Sequence, residues 1–309
     1  MEESTESKQT GTVHTPVLLK ETVHALSIAE DDVVVDGTLG GGGHARAILQ
    51  HLGENGVYLG IDADEGALER AKQSLGGDAR VRFSLGNFRD LDAHLDRTGL
   101  TYIDKLLLDI GVSSDQLEAG SGRGFSFSSD EPLKMTFKKD PKPDEVTAWD
   151  VVNTWSESSL ADIIFGFGGE HRARRIARAI CDAREAKGIF TSKQLADIVE
   201  LAVGKRGRTH PATKTFQAIR IAVNDELGAL EEALQKGRQF VRSGGRMAVI
   251  TFHSLEDRKV KRLFREWEEV GYGTCLTKKP IAPSTEECRE NRRARSAKLR
   301  CFVQGQGVE

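Results

Sequence analysis

Residues 33–44 read Val33-Val34-Val35-Asp36-Gly37-Thr38-Leu39-Gly40-Gly41-Gly42-Gly43-His44, and this stretch decides the fold. A β-branched apolar run ends in an acid, glycines follow, and residues 45–49 have a helical pattern. A buried strand that leads through a glycine-rich turn into a helix is typical of an open α/β sheet. Glycines are needed where a ligand approaches the backbone, because a Cβ atom would hold it away. The stretch therefore predicts a cofactor site at this turn.

Strands and helices alternate closely through the first 111 residues. Strands are predicted near residues 33–36, 57–62, 81–85 and 105–109, and helices near 42–52, 64–76 and 88–97. This alternation indicates the first half of a doubly wound sheet. The next convincing strand is 246–252, which follows Gly244 and Gly245.

The interval from residue 112 to 245 is too long for a normal crossover, so it contains an insertion. Helical periodicity covers 170–187 and 195–203, and a long amphipathic helix carries Phe216 to Leu234 and leads to Gly244. We assign that last helix to the sheet domain, as the crossover before the fifth strand. An insertion after the fourth strand lies at the mouth of the crevice, where substrate recognition is its natural role.

The predicted organisation has three parts. A polar tail at 1–12 is expected to be disordered. A sheet domain comprises 13–112 and 210–309, and an inserted helical domain comprises 113–209.

Three predicted strands end in an acid: Asp36, Asp62 and Asp109. Ligands of such sheets bind beyond the carboxyl ends of the strands, so these carboxylates should surround one crevice. They would repel a pyrophosphate and attract the sulfonium and ammonium groups of S-adenosylmethionine. The G-x-G-x-x-A spacing of residues 40–45, with Asp62 some twenty residues later, also satisfies the dinucleotide fingerprint. We favour S-adenosylmethionine over NAD(P), and Asp62 can accept from ribose hydroxyls of either cofactor.

Composition is ordinary for a soluble globular protein: 309 residues, 38% hydrophobic, 29% charged, with a net charge of −3. No apolar run approaches the roughly 20 residues that span a bilayer, and the polar start of the chain is not a secretory signal. The four cysteines are scattered. They fit reduced thiols in the cytoplasm and suggest neither a disulfide nor a metal site.

Basic residues concentrate in four segments although the net charge is negative. The segments are 172–178, 205–214, 258–262 and 289–300. Any one of them is more often a solvated helix face than a binding site. Together they permit a basic groove along a nucleic-acid backbone.

The loops that follow the fourth and fifth strands carry the candidate catalytic residues Asp109, Ser113, Ser114 and His253. Hydrogen-bond acceptors on the N–H groups of an aromatic amine would localise its lone pair for an in-line methyl transfer. Alternatively, the serines cap a turn and Asp109 contacts the cofactor. We favour cofactor contact for Asp109 and leave the serines open.

His253 could touch the acceptor base or pack under its loop, and packing is favoured. The next residues, Ser254 and Asp257, are spaced as a helix N-cap and its partner.

Seven motifs together resemble the RsmH/MraW family, the S-adenosylmethionine-dependent methyltransferases of a cytosine N4 amine in small-subunit (16S-type) ribosomal RNA. The resemblance runs from about residue 14 to 303 in the family's order. The motifs are His14-Thr15-Pro16-Val17-Leu18-Leu19, Asp36-Gly37-Thr38-x-Gly40-x-Gly42-Gly43-His44, Asp109-x-Gly111-Val112-Ser113-Ser114-x-Gln116-Leu117, Arg123-Gly124-Phe125-Ser126-Phe127, His210-Pro211-Ala212-Thr213-x-Thr215-Phe216-Gln217-Ala218-x-Arg220-Ile221, Phe252-His253-Ser254-Leu255-Glu256-Asp257-Arg258 and Arg293-Ala294-Arg295-Ser296-Ala297-Lys298-Leu299-Arg300.

The resemblance implies a class I (Rossmann-like) seven-stranded methyltransferase sheet with an inserted helical domain. It implies rRNA (cytosine-N4-)-methyltransferase activity on a cytosine near the decoding centre, with ribosomal RNA or the assembled small subunit as partner. A homodimer is left open. The implied cofactor contacts are Gly42, Gly43, His44, Asp62, Phe88, Asp109 and Gln116. Ordinary core packing is the alternative for Phe88.

One loop departs from the family pattern. Where Asp-Gly-Pro-Leu-Asp-Met-Arg-Met is expected, residues 130–137 read Asp-Glu-Pro-Leu-Lys-Met-Thr-Phe. These altered charges affect the expected contacts between this loop and the acceptor base. They affect the expected cofactor and reaction type less. Besides the oxidoreductase, two other hypotheses stay open: a methyltransferase of another acceptor, and a non-catalytic RNA-binding assembly factor.

Overall fold

A computed structural model describes residues 16–117, 121–204 and 210–306. Within these ranges the protein forms a seven-stranded sheet in the order β3-β2-β1-β4-β5-β7-β6. The strands are β1 (Val33–Asp36), β2 (Val57–Asp62), β3 (Val81–Leu85), β4 (Ile103–Asp109), β5 (Val241–Thr251), β6 (Gly273–Cys275) and β7 (Lys298–Gln304). Neighbours among β1 to β5 are parallel, whereas β7 is antiparallel to both β5 and β6. The predicted α/β class with seven strands is confirmed.

Helices cover both faces of this sheet and form a separate lobe. They are α1 (Leu19–Leu26), α2 (Gly43–Leu49), α3 (Glu65–Leu75), α4 (Leu91–Thr98), α5 (Ser114–Leu117), α6 (Ala148–Thr154), α7 (Glu157–Gly166), α8 (Ala173–Ala186), α9 (Ser192–Val203), α10 (Thr213–Asn224), α11 (Glu226–Phe240), α12 (Ser254–Glu269) and α13 (Thr285–Glu290). None of the described helices is long and apolar enough to cross a bilayer.

The central strands are apolar on both sides because both faces of the sheet are covered. Val34 and Leu107 pack in one apolar cluster with residues of α1, α2 and α3. Their neighbours Val35, Leu106 and Leu108 pack in a second cluster with residues of α4, α11 and α12. The chain order reverses between β1 and β4, which is where a doubly wound sheet opens a crevice at its carboxyl edge.

The inserted lobe has its own apolar core, formed by α6 to α10 with the loop that precedes them. Buried members include Leu160, Ile176, Leu195, Phe216 and Ile219. The last two lie on α10, so α10 packs with the lobe. We therefore propose that the lobe extends to about residue 224, beyond the boundary at 209 expected from the sequence.

The prediction of one long helix from Phe216 to Leu234 is wrong. The helix breaks at Asp225, whose φ of 44° and ψ of 46° are left-handed. Tertiary contacts hold the break: the Asn224 amide donates to the Met135 carbonyl at 2.7 Å and accepts from the Phe137 N–H at 3.0 Å. The apolar periodicity continues across the break because each half packs against a different core.

The fifth strand begins at Val241 and not at Arg246 as predicted. Gly244 and Gly245 form an irregularity inside the strand. The pairing of β4 with β5 shifts there, from Ile103 opposite Val241 to Lys105 opposite Arg246. Gly244 has a φ of 79°, which glycine adopts without strain, so the two glycines bend the strand and do not precede it.

A buried ion pair ties the lobe's first loop to the sheet domain. The Arg123 guanidinium donates to the Asp64 carboxylate at 2.8 Å and to the Phe137 carbonyl at 2.7 Å. Burial alone would raise the pKa of Asp64, but the hydrogen bond and charge of Arg123 outweigh it and lower that pKa. Asp64 also caps α3 by accepting from the Gly66 N–H.

Replacing Arg123 with alanine is expected to destabilise the fold by about 3 kcal/mol, because it leaves a buried carboxylate without its cation. Urea unfolding followed by far-UV circular dichroism measures the change. Lys193→Ala, which breaks an exposed pair with Asp197, is the control and should change stability by less than about 1 kcal/mol. Equal stabilities of the two variants would contradict a structural role for the Arg123 pair.

Candidate active site

A cavity of about 430 Å³ opens at the carboxyl edge of the sheet, between the sheet and the helical lobe. Its sheet side comprises the glycine turn, Asp62, Phe88 and the loop after β4, and its lobe side comprises aromatic and polar side chains. Of the predicted site residues, those lining it are Gly43, His44, Asp62, Phe88, Asp109, Ser113, Gln116 and His253. The structure therefore brings most of the predicted site together.

The glycine turn is held in a tight, partly left-handed conformation. Gly40 and Gly42 have φ values of 51° and 72°. The Asp62 carboxylate accepts from the Gly40 N–H at 2.8 Å, and its other oxygen accepts from the Asp64 N–H at 2.8 Å. Gly42 does not line the cavity: its N–H donates to the Leu39 carbonyl. Gly42 thus shapes the turn.

Gly43 opens α2 and packs directly against Pro16. A Cβ atom at Gly43 would lie 2.6 Å from Pro16 Cγ, closer than real contacts allow. At Gly41, which also lines the cavity, an added Cβ would have no neighbour within 4 Å among the described atoms. The two glycines therefore differ in what fills the space beside them.

Gly43→Ala is expected to lower stability by about 1–3 kcal/mol through overpacking against Pro16. Gly41→Ala is the matched control and should leave the ligand-free melting temperature within about 1 °C of the original. Differential scanning calorimetry of the ligand-free proteins measures both. Equal melting temperatures would show that the Pro16 contact yields without strain.

Asp36 does not face the cavity, contrary to the prediction that all three strand-end acids surround the crevice. Its carboxylate accepts from the Thr38 N–H at 2.9 Å and from the Tyr58 hydroxyl at 2.8 Å. Burial raises its pKa, which these hydrogen bonds partly offset. Asp36 points into the sheet because Tyr58 on the neighbouring strand offers a buried donor. Of the three strand-end acids, Asp62 and Asp109 line the cavity, and Glu226 of α11 lines it as well.

Asp109 has a buried carboxylate oxygen, Oδ1, with no hydrogen-bond partner in the described part of the chain. Its other oxygen lies 3.7 Å from His44 Nδ1. Burial raises the pKa of Asp109 to about 8, the nearby Asp36 raises it further, and Arg293 opposes the shift. A carboxylate that lines a cavity and has one oxygen without a hydrogen-bond partner suits a cationic or N–H-bearing ligand.

The loop after β4 forms a small hydrogen-bonded turn. The Ser113 hydroxyl accepts from the Gln116 N–H at 3.2 Å, and Gln116 Oε1 accepts from the Ser113 N–H at 3.0 Å. Ser113 therefore caps the turn while still lining the cavity. The side chain of Ser114 lies outside the part of the chain that the structure describes.

His253 is the N-cap of α12, where Ser254 with Asp257 was predicted. Its Nδ1 accepts from the Glu256 N–H at 3.4 Å, and Nε2 lies 2.9 Å from Glu256 Oε1. The other oxygen of Glu256 accepts from the His253 and Phe252 N–H groups. Nδ1 is therefore occupied by the helix cap, whereas Nε2 makes no hydrogen bond in the described residues although it lies close to Glu256. The sequence did not indicate this because Ser, Thr, Asp and Asn are the usual N-cap residues.

Sequence reasoning also missed a buried charge cluster at the lobe side of the cavity. Arg220 donates to both oxygens of Glu226, at 2.6 and 2.8 Å. Ligand-type atoms of Glu226, His253 and Glu256 lie within 4.8 Å of one another. Burial raises the pKa of Glu226, and Arg220 counteracts it. Because Arg220 already holds both Glu226 oxygens, we interpret the cluster as an ion-pair network. Glu226 directly follows the helix break at Asp225, and this position was the signal in the sequence for the cluster.

Aromatic side chains dominate the lobe side of the cavity. The Phe127 ring stacks on His210 at 4.3 Å and meets Phe216 edge-on at 5.6 Å. In the departing loop, Met135 and Phe137 line the cavity. Of the altered residues, Lys134 donates from its ammonium group to the Lys139 carbonyl, and Thr136 donates from its hydroxyl to the Lys138 carbonyl. The altered charges therefore leave the described lining of the cavity intact.

The fold and this site together define a class I methyltransferase that uses S-adenosylmethionine. The residues that line the cavity fit that cofactor: the glycine turn leaves open space beside Gly41, and the Asp62 and Asp109 carboxylates can accept from hydroxyl and ammonium groups. S-adenosylmethionine, when bound, supplies a methyl group attached to a positively charged sulfur.

The chain belongs to the MraW methylase family, whose family model matches residues 11–304. Three curated relatives carry the name ribosomal RNA small subunit methyltransferase H. The protein of Coprothermobacter proteolyticus is 45% identical over 294 residues, which cover 95% of this chain and 97% of the relative. Those of Persephonella marina and Deinococcus deserti are 46% and 47% identical, covering 93% of this chain and 97% and 92% of the relatives. This membership sets the oxidoreductase alternative aside.

Proposed function

We propose that this enzyme methylates the exocyclic N4 amine of a cytosine in small-subunit ribosomal RNA. The names of the relatives support the RNA substrate. The Asp109 side chain lines the shared cavity, and its buried Oδ1 has no hydrogen-bond partner in the described residues; this is the observation that carries the chemistry. An amine N–H group is the donor that this oxygen lacks.

Asp109 and Ser113 both line the cavity. Both offer oxygen atoms that can accept from an exocyclic amine, and this would hold the nitrogen lone pair toward the sheet side. Catalysis of this kind depends mainly on positioning the two reactants and excluding water. The buried, apolar walls around Asp109 serve both purposes.

The lobe side of the cavity suits a pyrimidine ring. Phe127 and Phe216 can contact an extruded base, and the Gln217 amide oxygen can accept from its polar edge. The target base must leave any stacked arrangement to enter, which is least costly in single-stranded RNA. Gly43, His44, Asp62, Phe88 and Gln116 are proposed to hold the cofactor.

The test uses small ribosomal subunits and naked small-subunit RNA from cells that lack this protein. Each is incubated with the enzyme and radiolabelled S-adenosylmethionine, and the RNA is then mapped by mass spectrometry. We expect a single cytosine to gain one methyl group on N4. Label at carbon 5, on another base or only in protein would contradict the proposal. Comparing the methylation of the two substrates shows whether the enzyme acts on free RNA or on the assembled particle.

The proposed place of action is the cytoplasm, where such particles are assembled. Light scattering of the enzyme alone and with its substrate distinguishes a monomer from a homodimer.

A further inference from the structure

The corner between α7 and α8 combines exposed rings with exposed arginines. We call it the α7–α8 corner and define it by Phe165, His171, Arg174, Arg175 and Arg178. The Phe165 side chain is 57% exposed, and its ring lies edge-on to His171 at 6.3 Å. All three arginines are exposed on the first turns of α8. An exposed aromatic ring beside three exposed cations combines a stacking surface with positive charge.

The three arginines make no ion pair or hydrogen bond with any side chain in the described ranges. Other exposed cations do find partners: Lys72 pairs with Glu69, and Lys193 pairs with Asp197. The first turn of α8 contains no acid. Cations in the first turn of a helix, here Arg174 and Arg175, are unfavourable by about 0.3–1 kcal/mol each. Helix stability therefore does not explain these arginines, whereas binding of an anion would.

The corner is joined rigidly to the wall of the cavity. The Gln217 side chain, which lines the cavity, donates to the Phe167 carbonyl at 3.1 Å. One turn earlier on α10, the Lys214 ammonium donates to the Gly169 carbonyl at 3.0 Å. A Cβ atom at Gly168 would lie 2.5 Å from the Lys214 carbonyl oxygen, so the two segments touch. The segment that joins α7 to α8 therefore contacts the wall of the cavity at Gln217.

We propose that the α7–α8 corner binds the single-stranded RNA that flanks the target nucleotide. This inference rests on the proposed function and adds the path of the substrate outside the cavity. Arg174, Arg175 and Arg178 contact successive phosphates, and the rings of Phe165 and His171 stack on neighbouring bases. Basic grooves with aromatic platforms are the general means of holding single strands.

The test measures binding of a fluorescent oligocytidylate of about 15 nucleotides by anisotropy at several salt concentrations. The variant R174A/R175A/R178A is expected to bind about 10- to 100-fold more weakly, and the slope of log K against log salt should fall by about 2. The control R82A/K278A/K279A removes three exposed cations that lie outside the four basic segments and should change affinity less than about 3-fold. F165A is expected to weaken binding about 10-fold with the salt slope unchanged.

Two measurements separate a binding role from a structural role. The α8 variant should keep its affinity for S-adenosylhomocysteine, and its melting temperature should equal or exceed that of the original protein because unfavourable charges are removed. Unchanged oligocytidylate affinity, or an equal loss in both triple variants, would overturn the proposal. The proposal would also be overturned if the α8 variant bound whole small subunits more weakly but bound oligocytidylate normally. That result would indicate a contact with a ribosomal protein.

The activity of the unmodified enzyme distinguishes failure of this inference from failure of the proposed function. If it methylates small subunits and the α8 variant does so with the same KM, only this inference fails. If the unmodified enzyme methylates no form of small-subunit RNA, the proposed function fails, whatever the arginines bind.

Discussion

Replacing Asp109 with asparagine is expected to reduce kcat/KM about 100- to 1000-fold, the range seen when one preorganised polar group is removed from an active site. Asparagine keeps the shape of the side chain but removes the charge that faces the cavity. Its amide nitrogen could present donors where the amine N–H needs an acceptor. Transfer of radiolabelled methyl groups to small subunits measures the loss. Activity within about 3-fold of the original would contradict the role assigned to the free Oδ1.

The pH dependence provides the sharper test of Asp109. Its pKa is raised to about 8, first by burial and then by Asp36, so the carboxyl is largely protonated in the free enzyme at neutral pH. A cationic donor favours the ionised form. The kcat/KM for S-adenosylmethionine should therefore increase with pH up to about 8 and then level off, and D109N should lack this limb. Asp36→Asn should move the limb to lower pH, because it removes the neighbouring charge that raises the pKa.

The free energy of unfolding should decrease with increasing pH because of Asp109, whereas kcat/KM should increase. The folded protein holds the Asp109 proton up to a pKa of about 8, whereas an ordinary aspartate releases it near 3.8. The folded state thus loses relative stability as pH increases between these values, and the full loss is present above pH 8. D109N should be more stable than the original by on the order of 3 kcal/mol near pH 9 and nearly equal near pH 4. Urea unfolding at the two pH values measures this.

Replacing Asp62 with alanine is expected to weaken S-adenosylhomocysteine binding at least about 100-fold. Both Asp62 oxygens already accept from backbone N–H groups, of Gly40 and Asp64, and each keeps a lone pair for a ribose hydroxyl. The substitution thus removes the support of the glycine turn together with a ligand contact. Isothermal titration calorimetry measures the affinity. Because the sulfur of S-adenosylhomocysteine is an uncharged thioether, the measured change does not include attraction to a cationic sulfur.

Two controls accompany the Asp62 experiment. Asp62→Asn should also bind poorly, because its NH₂ group would face one of the two backbone N–H groups. Asp78→Ala removes a surface carboxylate that pairs with Arg80 and should leave affinity unchanged. If D62A binds as the original does, the glycine turn keeps its shape without Asp62, and that carboxylate does not hold the ligand.

Local patterns predicted the first half of the sheet well. The β-branched runs before Asp36 and Asp62 became buried strands because their apolar side chains have a face of the sheet to cover on either side. The glycine turn was equally readable, since its conformation depends on missing Cβ atoms. Six of the seven cofactor residues expected from the motifs line one cavity, and Gly42 lies behind it.

The errors occurred where a distant partner decides the outcome. Apolar spacing continues through Asp225, but Met135 and Phe137 fix Asn224 and end α10 there. Asp36 has the same strand-end position as Asp62, yet Tyr58 engages it inside the sheet. Such contacts join residues far apart in the chain, so local periodicity does not reveal them.

The sequence by itself determined the class of fold, the cofactor turn and the family, because these depend on short motifs and on strand and helix periods. Only the tertiary structure decided which acids face the cavity, where the helical lobe ends, and how the α7–α8 corner joins the cavity wall. The physical reason is that burial and hydrogen-bond partners set the charge and direction of a side chain, and both are properties of the packed chain.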